Sequence, residues 1–230
     1  MRNREDAYFA IRKRIDAAAA QRAARTGTDH RVRLVAVSKR QSVDAIRALA
    51  DLGQQDFGES YLQEAQEKQA ALADLALSWH FIGPIQSNKT RAIAAHFDWV
   101  HSVDRLKLVQ RLGEQRDPAL GPLNVLIQVN VDDEAGKSGV APVDLPAIAA
   151  ACAAQPTLRL QGLMCIPRPG NIAAFRQLAE LNASLSEQLP ELLAEPLPEL
   201  SMGMSGDFEA AIAAGATMVR VGTALFGSRE

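Results

Sequence analysis

Cysteine is scarce in this chain: Cys152 and Cys165 are the only two in 230 residues. A disulfide framework is excluded, and a reducing, cytoplasmic compartment is the expectation. Charge of one sign is not in excess either. Lys and Arg number 25 against 27 Asp and Glu, for a net charge of −2, so no basic field argues for nucleic acid. No apolar run approaches the roughly eighteen uninterrupted residues of a membrane span. The opening stretch MRNREDAYFAIRKRIDAAAAQRAART is charged throughout and lacks the apolar centre of a signal peptide. The four histidines, His30, His80, His96 and His101, form no i, i+4 pair and no His-x-His, and there is no Cys-x-x-Cys. VDDEAG (131–136) lacks the spaced oxygen ligands of a calcium loop, so no metal site is expected. His80 reads as a satisfied histidine inside a strand. There is no G-x-S-x-G elbow, and Ser205 in MSGD has no triad partners nearby, which argues against a serine hydrolase.

What is present is alternation. Short apolar runs near 33–38, 55–58, 79–83, 98–102, 124–130, 159–166, 200–204 and 217–221 read as strands buried on both faces. Helical patterns fill 43–52, 60–73, 88–96, 104–116, 143–154, 171–189 and 207–214. Unbroken alternation predicts a parallel α/β sheet. Eight βα units are the number that closes a TIM-type (β/α)8 barrel, here a single domain over 1–230. An open doubly wound sheet is the alternative. After the eighth run only GTALFGSRE remains, too little for a full last helix. Tyr8, Ile11, Ile15 and Ala18 make one apolar stripe on an N-terminal helix. That helix is predicted to cover the barrel in place of the last one. LPELLAEPLPEL reads as a loop entering strand seven.

The chemistry gathers at strand ends. Lys39 closes LVAVSK, at the carboxyl edge of strand one, where α/β proteins bind ligands. A surface lysine is the plain reading, and a lysine that forms a covalent bond is the sharper one. GPIQSNKT (83–90) resembles a P-loop, but Asn88 stands where the second glycine belongs, and Lys89 and Thr90 read as the first turn of a helix. AGKSG reads as a flexible loop. The C-terminal stretch LSMGMSGDFEAAIAAGATMVRVGTALFG carries more. Gly203 and Gly206 allow close backbone approach, and Asp207 opens a helix whose N–H groups could hold an anion. Gly222 and Thr223 follow strand eight. Loops after strands seven and eight often build a phosphate site in (β/α)8 barrels. Closure makes strands one and eight neighbours, so Lys39 and Arg220 share the mouth with that site. An amine beside a phosphate pocket suits a phosphorylated aldehyde held as a Schiff base, and pyridoxal 5′-phosphate (PLP) is the candidate. A Schiff-base aldolase or a phosphate-binding barrel without PLP is the alternative.

LVAVSK, FGESYLQEAQEK, WHFIGPIQSNK, HSVD, GLMCIP and LSMGMSGDFEAAIAAGATMVRVGTALFG resemble the pyridoxal phosphate homeostasis protein family, over about residues 5–228. The resemblance implies a barrel similar to the N-terminal domain of alanine racemase, the fold type III of PLP proteins. It implies PLP as a Schiff base on Lys39, phosphate contacts from Ser205, Gly222 and Thr223 with Ser201 and Met204, and Arg220 beside the pyridine nitrogen. Ser60 stands where the family usually has asparagine in F-G-E-N-Y. Its hydroxyl cannot offer an amide to the ring hydroxyl, and a water could replace that contact. The family is linked to PLP supply and to amino-acid and keto-acid balance, with no robust turnover and no catalytic residue. An arginine beside the ring nitrogen disfavours its protonation, and a racemase needs a second acid/base group opposite the lysine. Tyr8 reads as packing and Tyr61 as a residue near the mouth, so a carrier is favoured over a weak racemase or lyase. Expected partners are PLP and apo PLP-dependent enzymes, with the chain a monomer. Lys89 and Lys137 are candidates for a second PLP site.

Overall fold

The computed structural model of the chain describes residues 2–27, 31–134, 136–189 and 196–227. Within them, eight parallel strands close on themselves. They are Arg33–Val37 (β1), Asp56–Glu59 (β2), Ser78–Phe81 (β3), Trp99–Val103 (β4), Leu123–Gln128 (β5), Leu158–Met164 (β6), Glu199–Ser201 (β7) and Met218–Val221 (β8). Each pairs with the next, and β8 returns to β1 with Arg220 opposite Val35. The chain therefore forms the expected (β/α)8 barrel, and the open doubly wound sheet is not what it adopts.

Helices follow the strands: Val43–Asp51 (α2), Leu62–Ala71 (α3), Thr90–His96 (α4), Leu106–Gln115 (α5), Leu145–Ala153 (α6), Ala173–Gln188 (α7) and Phe208–Ala213 (α8). After β8 there is one turn, Thr223–Phe226 (α9), and the first helix, Arg2–Thr26 (α1), packs on α8, α9 and α2. The predicted stripe of α1 is what it buries: Tyr8, Ile11, Ile15 and Ala18 are all in the core. Burying an isoleucine contributes about 1.5–3 kcal/mol. Arg22 Nη1 donates to the Ala216 carbonyl at 2.8 Å and Arg14 Nε to Glu209 at 2.7 Å, which fixes the helix in the gap a full last helix would fill.

Side-chain parity explains the continuous apolar runs. Leu34, Ala36, Phe57, Trp79, Phe81, Val100, Leu200, Val219 and Val221 fill the layer between sheet and helices. Residues of the other parity, Val35, Trp99, Leu126, Met164 and Met218, pack together inside the barrel. A parallel strand covered on both faces needs apolar residues at both parities. The interior also buries His80, His101, Ser201 and Arg220. Both cysteines are buried and free, and burial pushes each thiol up to about 12.

Most elements are shorter than their sequence patterns. The helix expected from 60 begins at Leu62 because Tyr61 is extended, at φ −122°. The run expected as a strand to 204 stops at Ser201, where Gly203 turns at φ +89° and a Cβ would meet that of Ala211 at 2.6 Å. A side chain there would force the turn open. His30 and half of LPELLAEPLPEL (190–195) lie outside the described residues. No helix among those described is long and apolar enough to cross a membrane.

Candidate functional site

Lys39 leaves β1 in a tight turn. Gln41 N–H donates to the Ser38 carbonyl at 3.0 Å, and Ser42 caps α2 by accepting from Ala45 N–H at 3.2 Å. Between them Arg40 takes φ +62°, which costs a non-glycine residue roughly 1–2 kcal/mol. A buried ion cluster behind β1 and β2 braces that turn. Lys68 Nζ donates to the Ser38 carbonyl at 2.7 Å, to Glu59 Oε1 at 2.7 Å and to Glu64 Oε1 at 2.6 Å. Ser38 Oγ donates to Glu59 at 2.7 Å, and Arg40 N–H donates to Glu64. Burial lifts the Glu59 carboxyl above its ordinary range while Lys68 draws it back.

The mouth beside Lys39 is a cavity of about 280 Å³. Lys39, Gln41, Ser60 and Ile82 border it from the first half of the barrel; Met204, Ser205, Gly206, Gly222 and Thr223 border it from the last two βα loops, and Arg220 from β8. Asp207 ties the first of these loops, accepting from Met204 N–H at 2.6 Å. Its carboxylate thus occupies the start of α8, the place expected from sequence to hold an anion. The free donors lie just before and across from it. Among the described residues, no carbonyl or side chain accepts from the N–H groups of Ser205, Gly206, Gly222 or Thr223. Gly222 runs close to β1, since a Cβ there would lie 3.3 Å from the Val37 carbonyl.

Arg220 is 4% exposed. Its Nη1 donates to Ser201 Oγ at 2.6 Å and its Nη2 to the Cys165 carbonyl at 2.8 Å. Burial lowers its pKa, yet a guanidinium remains charged at any accessible pH. Ser201 Oγ in turn meets His101 Nδ1 at 2.9 Å, His101 Nε2 meets His80 Nδ1 at 2.9 Å, and His80 Nε2 meets Asp56 Oδ1 at 2.9 Å. A polar chain thus threads the barrel interior from the amino-terminal mouth to the cavity. Burial holds both imidazoles below their ordinary pKa, His101 far below.

Of the residues singled out from sequence, Lys39, Ser60, Met204, Ser205, Arg220, Gly222 and Thr223 all border the cavity. Ser201 does not; it is fully buried behind Arg220. Tyr61 is half exposed, with Arg40 over its ring, and is not part of the lining. Lys89 is exposed, and Lys137 pairs with Glu134 at 2.7 Å. GPIQSNKT serves packing: a Cβ on Gly83 would lie 2.3 Å from the Ser60 carbonyl, and that glycine lets the third loop pass the second. Gln41 and Ile82 escape a reading of the sequence, as does the pairing of His80 with His101. The available signal is parity, since both histidines fall on the inward side of adjacent strands. Among the described residues no cluster of His, Cys, Asp and Glu is arranged to hold a metal.

A lysine, a buried arginine and a pair of loops with open N–H groups at the carboxyl mouth of one barrel define a class. The family model described as alanine racemase, N-terminal domain, matches residues 13–230. Alanine racemase from Corynebacterium glutamicum, 18% identical with a TM-score of 0.66, has the same fold over 94% of this chain and 62% of its own. Closer likeness narrows the class. The pyridoxal phosphate homeostasis protein of Pseudomonas aeruginosa is 59% identical over 86% of this chain and 85% of its own length. That of Escherichia coli K12 is 47% identical over 96% and 94%. PipY of Synechococcus elongatus, solved with PLP bound, is 40% identical with a TM-score of 0.79, over 91% of this chain and all of its own. The chain belongs to the pyridoxal phosphate homeostasis protein family.

Proposed function

We propose that this chain binds PLP covalently through Lys39 in the upper cavity and keeps it in reserve for apo PLP-dependent enzymes. The observation that carries the reading is one convergence. Among the described residues, a single amine, four backbone N–H groups without acceptors and a buried arginine share a cavity of about 280 Å³. These residues fit the cofactor. Free N–H groups in two glycine-containing loops suit a phosphate. The Lys39 amine suits an aldehyde, with which it condenses by losing one water. Arg220 suits an unprotonated ring nitrogen, because it can only donate. Ser60 borders the same cavity with a hydroxyl. The PLP bound by PipY, a relative of the same fold, supports the same ligand here.

Holding is favoured over turnover for a chemical reason. PLP supplies an electron sink to an amino acid bound on it, and racemisation then needs two proton-transfer groups on opposite faces. Among the described residues bordering the cavity, Lys39 alone exchanges protons by changing charge. Arg220 further opposes protonation of the ring nitrogen, which weakens the sink. In this reading the chain works as a cytoplasmic monomer and influences amino-acid and keto-acid balance by buffering the cofactor that other enzymes draw on.

The test is an absorption spectrum of the protein with PLP, then borohydride reduction and peptide mapping. A yellow protein whose reduced pyridoxyl adduct maps to Lys39, and a Lys39→Ala variant that stays folded and loses the colour, are expected. A variant with an unchanged spectrum would overturn the assignment.

A further inference from the structure

The polar chain behind Arg220 has a direction that its two ends dictate. Arg220 only donates, so Ser201 Oγ accepts from it at 2.6 Å. The Asp56 carboxylate only accepts, so His80 Nε2 carries the hydrogen at the other end, at 2.9 Å. A neutral His80 then presents Nδ1 as an acceptor, and His101 Nε2–H donates to it. His101 Nδ1 is thereby left as an acceptor, and the Ser201 hydroxyl, which has no other acceptor among the described residues, donates to it. Every bond of the line is satisfied in this one arrangement, and Ser78 Oγ, 3.4 Å from His80 Nε2, then accepts a share of the same hydrogen.

We propose that Ser201, His101, His80 and Asp56 are positioning residues that hold Arg220 oriented as a fixed donor at the cofactor pocket, through a hydrogen-bond chain locked in one direction with both imidazoles neutral and Nε2-protonated. The cofactor half of this statement rests on the proposed function; the chain itself does not. Added charge runs against the arrangement. A proton on His80 would turn its Nδ1 into a donor, reverse the His101 tautomer and leave the buried Ser201 hydroxyl hydrogen without an acceptor. The groups facing the two rings are Asp56, Arg33, Asp98, Arg220 and the Trp99 indole, which stacks on His80 at 5.5 Å. Burial lowers the pKa of both rings, and for His80 it does so against the pull of the Asp56 carboxylate.

The consequence concerns the ring nitrogen of a bound PLP. Arg220 is held from behind by Ser201 and by the Cys165 carbonyl, with two of its five N–H groups committed to them. Its orientation, and so the donor it presents to the cavity, depends on a side chain that never touches the cofactor. Removing the Ser201 hydroxyl unfastens Arg220 and at the same time frees the His101 tautomer.

The test begins on the protein without cofactor. Long-range 15N–1H spectra of the imidazoles, assigned with His80→Gln and His101→Gln, are expected to show Nε2–H at both residues. Neither should titrate near pH 6.5. An Nδ1–H form at either ring, or ordinary titration, would overturn the proposal. Ser201→Ala, a small change in a packed interior, is then expected to leave the fold intact and mix the His101 tautomers. Loaded with 15N-labelled PLP, that variant should move the ring-nitrogen resonance relative to wild type. Ser201→Thr, which keeps the hydroxyl, should restore it. A resonance indifferent to Ser201→Ala would also overturn the proposal. Locked imidazoles in a protein that takes up no PLP would instead fault the proposed function and leave the direction of the chain standing.

Discussion

The two mouths of the barrel make opposite use of charge. The recess at the amino ends of the strands is the larger, about 870 Å³ against about 280 Å³ at the carboxyl ends. Yet its central charges answer one another, although Arg12 and Arg31, which also line it, make no ion pair among the described residues. Arg33 lies 3.5 Å from Asp56 and 3.7 Å from Glu199 and covers the Trp99 ring, while Asp56 also accepts from His80. The smaller mouth leaves donors open: Lys39 and the N–H groups of two loops. Its acids face away, since Glu59 and Glu64 are spent on Lys68 behind the sheet and Asp207 on Met204. Backbone N–H groups without acceptors beside an amine, rather than volume, mark the place where a ligand lowers the free energy.

The sharpest way to break this comparison is Lys39→Ala. It should abolish the covalent PLP spectrum entirely while changing unfolding free energy by less than about 1 kcal/mol, because the side chain is only half buried. Next in size is the brace behind the turn. Lys68→Met leaves Glu59 buried without its cation and is expected to cost about 3–5 kcal/mol in denaturant unfolding. Adding Glu59→Gln should recover a large share; no recovery would mean that Lys68 acts through packing alone.

Acid comes third. Burial holds the folded pKa values of His80 and His101 below the ordinary 6.5, His101 well below it. The unfolded chain binds more protons than the native one between those values, so stability rises with pH there. The contribution is complete above pH 6.5 and is lost as the pH falls toward the folded values, at up to about 1.4 kcal/mol per pH unit for each ring. Stability curves from pH 8 to 5 should bend downward below 6.5, and His80→Gln should flatten the bend. The smallest effect belongs to the amino-terminal mouth. Arg33→Met removes partly exposed pairs worth about 0–1 kcal/mol and should leave PLP binding unchanged. A large loss of binding there would erase the distinction between the mouths.

Much of this site was legible in the chain. Strand periodicity put Lys39 at the end of β1 and Gly222 and Thr223 at the end of β8, and closure of the barrel brought them together. Ser201 shows where reading stopped. The family resemblance implied a phosphate contact for it, but β7 ends on it and its side chain points into the barrel behind Arg220. The Lys68 brace was equally hidden. A lysine in QEAQEK looks like a solvated helix face, and only docking of α3 against β1 and β2 buries it at 5% exposure.

Local pattern determined the eight strands, the alternating helices, the apolar stripe of α1 and the loops that carry amine and glycines, because each depends on neighbours a few residues away. Tertiary structure alone decided the line from Asp56 through His80, His101 and Ser201 to Arg220. Those five residues come from five strands and share no spacing. Each meets the next only because a closed sheet, with its register set by pairing from β1 round to β8, turns one side chain of each strand into the same narrow interior.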